Sequence, residues 1–170
     1  MFGVSRVRFQ PGGGGDERSF YRIDAPHWIN VIPVDDRGDV LFVRQYRFGI
    51  EDFTIEIPGG MCDCGESPAT AAARELREET GHEAGRIVEL GWVHPNPALQ
   101  GNRCYSYVAR DLVRVGDPEP DADEEFELVK VPLRDVPGLI ADGSITHALV
   151  VTAFRLLDGR PDAGITRTGS

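Results

Sequence analysis

Apolar positions along this chain recur with two periods. Residues 28–33 are mostly apolar, residues 40–46 read as a buried strand, and residues 53–57 alternate apolar with polar through Phe53, Ile55 and Ile57. Asp35-Asp36-Arg37-Gly38 between the first two is a turn sequence. Upstream, residues 4–9 and 20–23 are short strand candidates flanking the glycine tract 12–15, a hairpin loop or linker. Further strands are predicted at 87–93, 104–109 and 126–131. The period changes at Ser67. Ser67 suits an N-cap, Pro68 the first helical position, and Gly81 the left-handed exit after Thr80. Residues 133–140 and 146–157 read as two more helices, the second with Ala148, Val151, Thr152, Phe154 and Arg155 at helical spacing. Strands mixed with a few helices predict an α/β layered fold around a mixed sheet. The expected organisation is a small β extension over 1–27, a main domain over 28–160 and a flexible tail over 161–170.

Composition narrows the class. At 170 residues the chain suits one compact domain, and 41% apolar with 27% charged residues is an ordinary globular mixture. No run of 18 apolar residues is present, so no membrane partner is expected, and the first ten residues lack a secretory pattern. Three cysteines, two of them at Cys62 and Cys64, fit reduced thiols and a cytoplasmic location better than a disulfide framework. A net charge of −10 with no basic cluster argues against nucleic acid. A small anionic substrate stays compatible if a divalent metal neutralises it locally. Excess acid also has a plainer use in solubility.

The helix from Pro68 changes that picture. Its spacing puts Glu75, Glu78 and Glu79 on one face, with Ala69, Ala72, Ala73, Leu76 and Thr80 on a neighbouring face that would pack against a sheet. Three carboxylates at i, i+3 and i+4 repel one another and lie toward the negative end of the helix dipole. A cation is wanted. Arg74 and Arg77 can supply it as a solvated, salt-bridged face; a hard ion such as Mg²⁺ or Mn²⁺ can supply it if oxygen ligands alone are used.

The flanking residues extend the pattern. Gly60, five free positions, Glu66, seven free positions, Arg74-Glu75-Leu76, one free position, Glu78-Glu79, one free position and Gly81 together resemble the box of the Nudix hydrolase family. Seven fixed identities and one apolar position agree, and a chance match at a given start is on the order of 10⁻⁹. His82 departs from the aliphatic residue usual in the family, and altered packing at the helix end is expected there. The resemblance implies a loop–helix–loop that holds Mg²⁺, with Mn²⁺ as substitute, on a pyrophosphate. It makes Glu75 and Glu79 the main metal ligands, with Glu78 direct or through water and the Gly59 carbonyl as a further ligand. Arg74 would orient Glu75, and Glu66 would support the loop or a further metal.

Two further stretches resemble the ADP-ribose pyrophosphatase and nucleoside-diphosphate-sugar branch: Val43-Arg44-Gln45-Tyr46-Arg47 followed by Glu56-Ile57-Pro58-Gly59-Gly60, and Pro97 fifteen positions after His82. That branch implies hydrolysis of a small nucleotide such as ADP-ribose or a nucleotide sugar. Trp28, Tyr46, Arg47, Glu56, Pro97 and Arg103 are the expected substrate-binding residues. The acidic run 121–127 would supply the base that activates water, Glu124 first and Glu125 second; as a charge run its plain reading is a solvated loop. The segment 4–23 resembles the β region through which this branch forms homodimers. One Cys-x-Cys falls short of a tetrahedral sulfur site, so zinc at Cys62 and Cys64 is disfavoured. A non-catalytic sensor of the same fold is the alternative, and such domains usually lose box glutamates that are all present here.

Overall fold

The computed structural model describes residues 2–119, 126–160 and 163. Nine strands and three α-helices lie within them: β1 (Gly3–Phe9), β2 (Arg18–Asp24), β3 (Trp28–Pro33), β4 (Asp39–Arg47), β5 (Asp52–Glu56), β6 (Gly59–Met61), α1 (Pro68–Thr80), β7 (His82–Val93), β8 (Cys104–Arg114), β9 (Phe126–Pro132), α2 (Val136–Ala141) and α3 (Ala148–Asp158). The first two strands pair as an antiparallel hairpin whose turn is the predicted glycine tract. A four-stranded sheet has the order β6-β3-β8-β7, with β3 and β8 parallel and the other pairs antiparallel; a three-stranded antiparallel sheet has the order β5-β4-β9. The mixed-sheet α/β architecture is therefore the expected one.

Alternation along β3 explains why helices cover both faces. Ile29 and Val31 point into one cluster with Ala71, Ala72 and Leu76 of α1 and Tyr107 of β8. Ile32 points into the other with Phe42 and with Val150, Ala153 and Phe154 of α3, where the rings of Phe42 and Phe154 stack at 5.9 Å. A strand buried on both faces reads as a continuous apolar run, as 28–33 does.

Several boundaries differ from expectation, each for a physical reason. The buried stripe of α1 is Ala71, Ala72, Leu76, Glu79 and Thr80, rotated toward the glutamates, while Ala69 and Ala73 are exposed. Glu79 turns inward because it accepts a backbone N–H from β6. β7 starts at His82, five residues before the expected Ile87, because Glu83–Arg86 pair with the far end of a longer β8. That arm is largely exposed and leaves no apolar period to read. The short β6 has no side-chain pattern at all. The expected helix 133–140 divides into a 3₁₀ turn (Leu133–Asp135) and α2. Pro137 sits in the first turn of α2, where its missing N–H costs nothing; deeper in a helix it would break the ladder.

Candidate functional site

The local chemistry of α1 sets the site. Ser67 Oγ accepts from the Thr70 amide at 3.1 Å, and Gly81 closes the other end at φ 68°, donating its N–H to the Arg77 carbonyl. A left-handed residue there carries no penalty for glycine. His82 follows and is drawn into the same exit: its Nδ1 lies 2.7 Å from the Thr80 carbonyl oxygen.

Arg74 gathers the acids. Its Nε and Nη2 each donate to Glu66 at 3.1 Å; its Nη1 donates to Glu75 at 2.8 Å and to Glu78 at 2.9 Å; and Nη2 also reaches the Met61 carbonyl at 3.0 Å. The Glu66 bonds, opposed by partial burial and helped by Glu75 and Glu78, hold the guanidinium firmly protonated. The same bonds hold Glu66 below the usual carboxylate range, burial opposing them and the Asp63 N–H adding to them. Arg77, the other predicted compensator, faces Glu83 instead at 3.6 Å. One nitrogen thus binds an oxygen of Glu75 and an oxygen of Glu78.

Glu79 goes a different way. It is 4% exposed and its Oε2 accepts from the Gly59 amide at 3.2 Å. The neighbouring Gly60 lies against Glu75 so closely that a Cβ there would meet the carboxyl carbon at 2.6 Å. Glycine at both positions lets main chain and carboxylates share this space. Among the described residues no three His, Cys, Asp or Glu side chains already stand as a metal-holding set. The donors present are nonetheless of the right kind: Glu75 and Glu79 carry carboxylate oxygens beside a bare backbone and Glu78 a third carboxylate on the same Arg74, chemistry that would suit Mg²⁺ or Mn²⁺. No zinc-type grouping surrounds Cys62 or Cys64 among the described residues; Cys62 is half-buried and Cys64 exposed.

A second polar group lies where β4 and β5 pair. Register places Val43 opposite Glu56 and Gln45 opposite Thr54, so Gln45, Arg47, Thr54 and Glu56 share one face. Arg47 grips Glu56 with two bonds of 2.7 Å, and Thr54 Oγ1 adds a third at 2.6 Å. Burial pushes the Glu56 carboxyl up, but the Arg47 and Thr54 bonds and the Arg47 charge outweigh it, and the group sits below its ordinary range. A depressed folded-state value means stability that is present at neutral pH and lost as pH falls through that value. Removing the partner reverses the balance and leaves a buried, uncompensated carboxylate. Arg47→Met is accordingly expected to cost about 1–3 kcal/mol near neutral pH, discounted because the guanidinium is partly exposed. Urea unfolding of both proteins checks this: the gap should narrow by about pH 4, where Glu56 of the variant is protonated.

The remaining predicted substrate-side residues are dispersed. Trp28 starts β3 between Met61 and Cys104, and its amide donates to the Arg103 carbonyl at 2.8 Å. The Arg103 guanidinium lies 4.0 Å over the ring of Trp92, a partner not expected from the sequence. Tyr46 meets Phe48 and Phe53 edge-on, each at 5.4 Å, and Pro97 lies exposed in a turn before β8. Glu124 and Glu125 lie outside the described residues. Thr54 and His147 were missed. Thr54 is two residues before Glu56 and so was legible as sharing its face; His147, which faces Glu56 at 3.8 Å, comes from a distant helix and gave no local signal.

The family model described as NUDIX domain matches residues 27–154. An ADP-ribose pyrophosphatase of Bacillus subtilis is 29% identical over 148 residues, covering 86% of this chain and 79% of its own length. A CMP-5'-(N-acetyl-N-hydroxy-3-aminopropyl)phosphonate hydrolase of Streptomyces rubellomurinus is 32% identical over 148 residues, covering 86% and 70%. The crystal structure of an ADP compounds hydrolase superposes with a TM-score of 0.84 at 26% identity, over 96% of this chain and 88% of that one. The chain belongs to the NUDIX domain family, as a hydrolase similar to the ADP-ribose pyrophosphatases.

Proposed function

We propose that this protein hydrolyses the pyrophosphate bond of a nucleoside diphosphate linked to another group, ADP-ribose or a nucleotide sugar, giving a nucleoside monophosphate and a sugar phosphate. The observation that carries the reading is the close approach of Gly59 and Gly60 to Glu79 and Glu75, which sets two acids against a backbone free of side chains. Bound Mg²⁺, or Mn²⁺ in its place, would supply charge neutralisation at the phosphate oxygens and a more acidic water. Glu75, Glu78, Glu79 and the Gly59 carbonyl would hold it. Arg74 keeps Glu75 and Glu78 oriented and Glu66 braces the loop. Arg47 and Glu56, with Trp28, Tyr46, Pro97 and Arg103, would position the nucleotide. Glu124, with Glu125 second, would take the proton from the attacking water. The retained glutamates favour a hydrolase over the sensor alternative. The likeness to an ADP-ribose pyrophosphatase and to an ADP compounds hydrolase supports the substrate class.

The test is direct. The purified protein is incubated with Mg²⁺ and a panel of ADP-ribose, sugar nucleotides, dinucleotides and nucleoside triphosphates, and the monophosphates released are quantified. Release from ADP-ribose or a sugar nucleotide, lost on chelation and restored by Mg²⁺ or Mn²⁺, is expected. Faster release from nucleoside triphosphates would overturn the substrate class, and release that survives chelation would overturn the metal.

The hairpin β1–β2 exposes Phe2, Val4, Phe9, Phe20 and Tyr21, more apolar surface than a strand pair in water needs. We read it as the dimerisation extension of residues 1–27, joined to a catalytic domain over 28–160 with a tail over 161–170, in a cytoplasmic protein that takes neither nucleic acid nor membrane as partner. No helix among the described residues is long and apolar enough to cross a membrane. A homodimer mass by light scattering at micromolar concentration is the expected result, and a monomer mass would refute it.

A further inference from the structure

We propose that His147, at the start of α3, is a positioning residue that fixes the Glu56 carboxylate and, through it, the Arg47 guanidinium in the orientation that meets the substrate. The inference rests on the substrate-side role given to Arg47 and Glu56 above.

His147 is the N-cap of α3, with φ −67° and ψ 116°, and its Nδ1 accepts the Leu149 N–H at 3.3 Å. A ring nitrogen that accepts carries no proton, so the imidazole hydrogen is on Nε2. That nitrogen stands 3.8 Å from Glu56 Oε2. The carboxylate is thereby braced from three elements. Thr54 holds Oε1 from its own strand, Arg47 holds both oxygens from β4, and His147 faces Oε2 from α3. The helix start is itself anchored, because Asn30 Nδ2 donates to the Leu149 carbonyl at 3.2 Å. Asn30 is the β3 residue paired with Gly59, so one helix start is tied both to the ion pair and to the strand beside the glycines.

Capping alone does not call for histidine. Serine, threonine, asparagine and aspartate cap more strongly, and aspartate would add a negative charge next to Glu56. What imidazole adds is a second nitrogen on the far side of the ring, and here that nitrogen faces the buried carboxylate. At 3.8 Å the contact steers electrostatically and is longer than a full hydrogen bond, which limits its effect to about one order of magnitude in affinity.

Two substitutions separate the functions, since an asparagine amide reaches the place of Nδ1 and a glutamine amide that of Nε2. His147→Asn should keep the cap, with a near-native unfolding midpoint, while KM for the substrate found in the panel rises roughly three- to tenfold with kcat within about twofold. His147→Gln should show the reverse, a lowered midpoint with KM near that of the parent. His147→Ala should show both losses. Native KM in His147→Asn, or the same KM in His147→Gln as in His147→Ala, would overturn the assignment. A readout independent of activity is the ¹⁵N spectrum of the His147 ring. The Nε2-protonated form is expected, with an Nε2 signal that moves in Glu56→Gln and in Arg47→Met. An Nδ1-protonated ring, or an Nε2 signal unmoved by both changes, would overturn the contact, even if no nucleotide in the panel is hydrolysed and it is the proposed function that has failed.

Discussion

Glu79→Gln should lower turnover by roughly 10²–10³, the rate equivalent of several kcal/mol of lost charge stabilisation in the transition state, while the unfolding midpoint moves little. The two expectations have different origins. Glu79 is almost fully buried and accepts the Gly59 amide, a bond that a glutamine carbonyl oxygen can also accept. The variant therefore keeps that bond and the shape of the side chain, and it removes a negative charge from a low-dielectric place. Loss of charge is what a hard-cation site cannot absorb. Two measurements are needed, steady-state kinetics at saturating Mg²⁺ and thermal unfolding with and without it. In the parent protein Mg²⁺ should raise the midpoint, because a ligand bound only to the folded state stabilises it by mass action; in the variant that shift should shrink. Near-parental kcat together with an undiminished Mg²⁺ shift would remove Glu79 from the metal set.

Why the site could be anticipated so far and no further follows from which residues carry local signals. The carboxylate helix was legible from its caps, since Ser67, Pro68 and Gly81 each act within one turn of the chain; of the three glutamates its period puts on one face, Glu75 and Glu78 meet at Arg74 while Glu79 turns to the Gly59 amide. Its packing face was legible only in part: Ala72, Leu76 and Thr80 are buried as expected, but Ala69 and Ala73 are exposed. Ala69 and Ala73 have the same apolarity as Ala71 and Ala72, and what chose between them was the Gly59 amide drawing Glu79 inward, a contact twenty residues apart in sequence. Arg47 with Glu56 was partly legible: strand alternation places each on a face, but the pairing register of β4 and β5 decides that they meet. His147 gave no hint, because its role comes from the packing of α3 against the sheet. The exposed arm of β7 and the three-residue β6 were silent for a simpler reason: neither has an apolar stripe to reveal it.

Gly59→Ala should be the most destabilising single-methyl change in the site, and comparison with Gly60→Ala separates fold from chemistry. A Cβ on Gly59 would lie 2.5 Å from the Ile29 carbonyl oxygen and 3.0 Å from the Asn30 Cα, both backbone atoms of a buried strand. Neither can move without breaking the pairing of β3 with β6, so about 2–4 kcal/mol of stability should be lost. On Gly60 the nearest atoms instead belong to the carboxylate of Glu75, the far end of a rotatable side chain. Glu75 can swing aside at small cost to the fold, but doing so takes it off Arg74 and away from the backbone it shares with Glu79. Gly60→Ala should therefore stay within about 1 kcal/mol of parental stability while turnover falls at least tenfold. Urea unfolding and steady-state kinetics on both variants read the two quantities separately. If Gly60→Ala lost stability as Gly59→Ala does but kept its turnover, Glu75 would have no part in the chemistry.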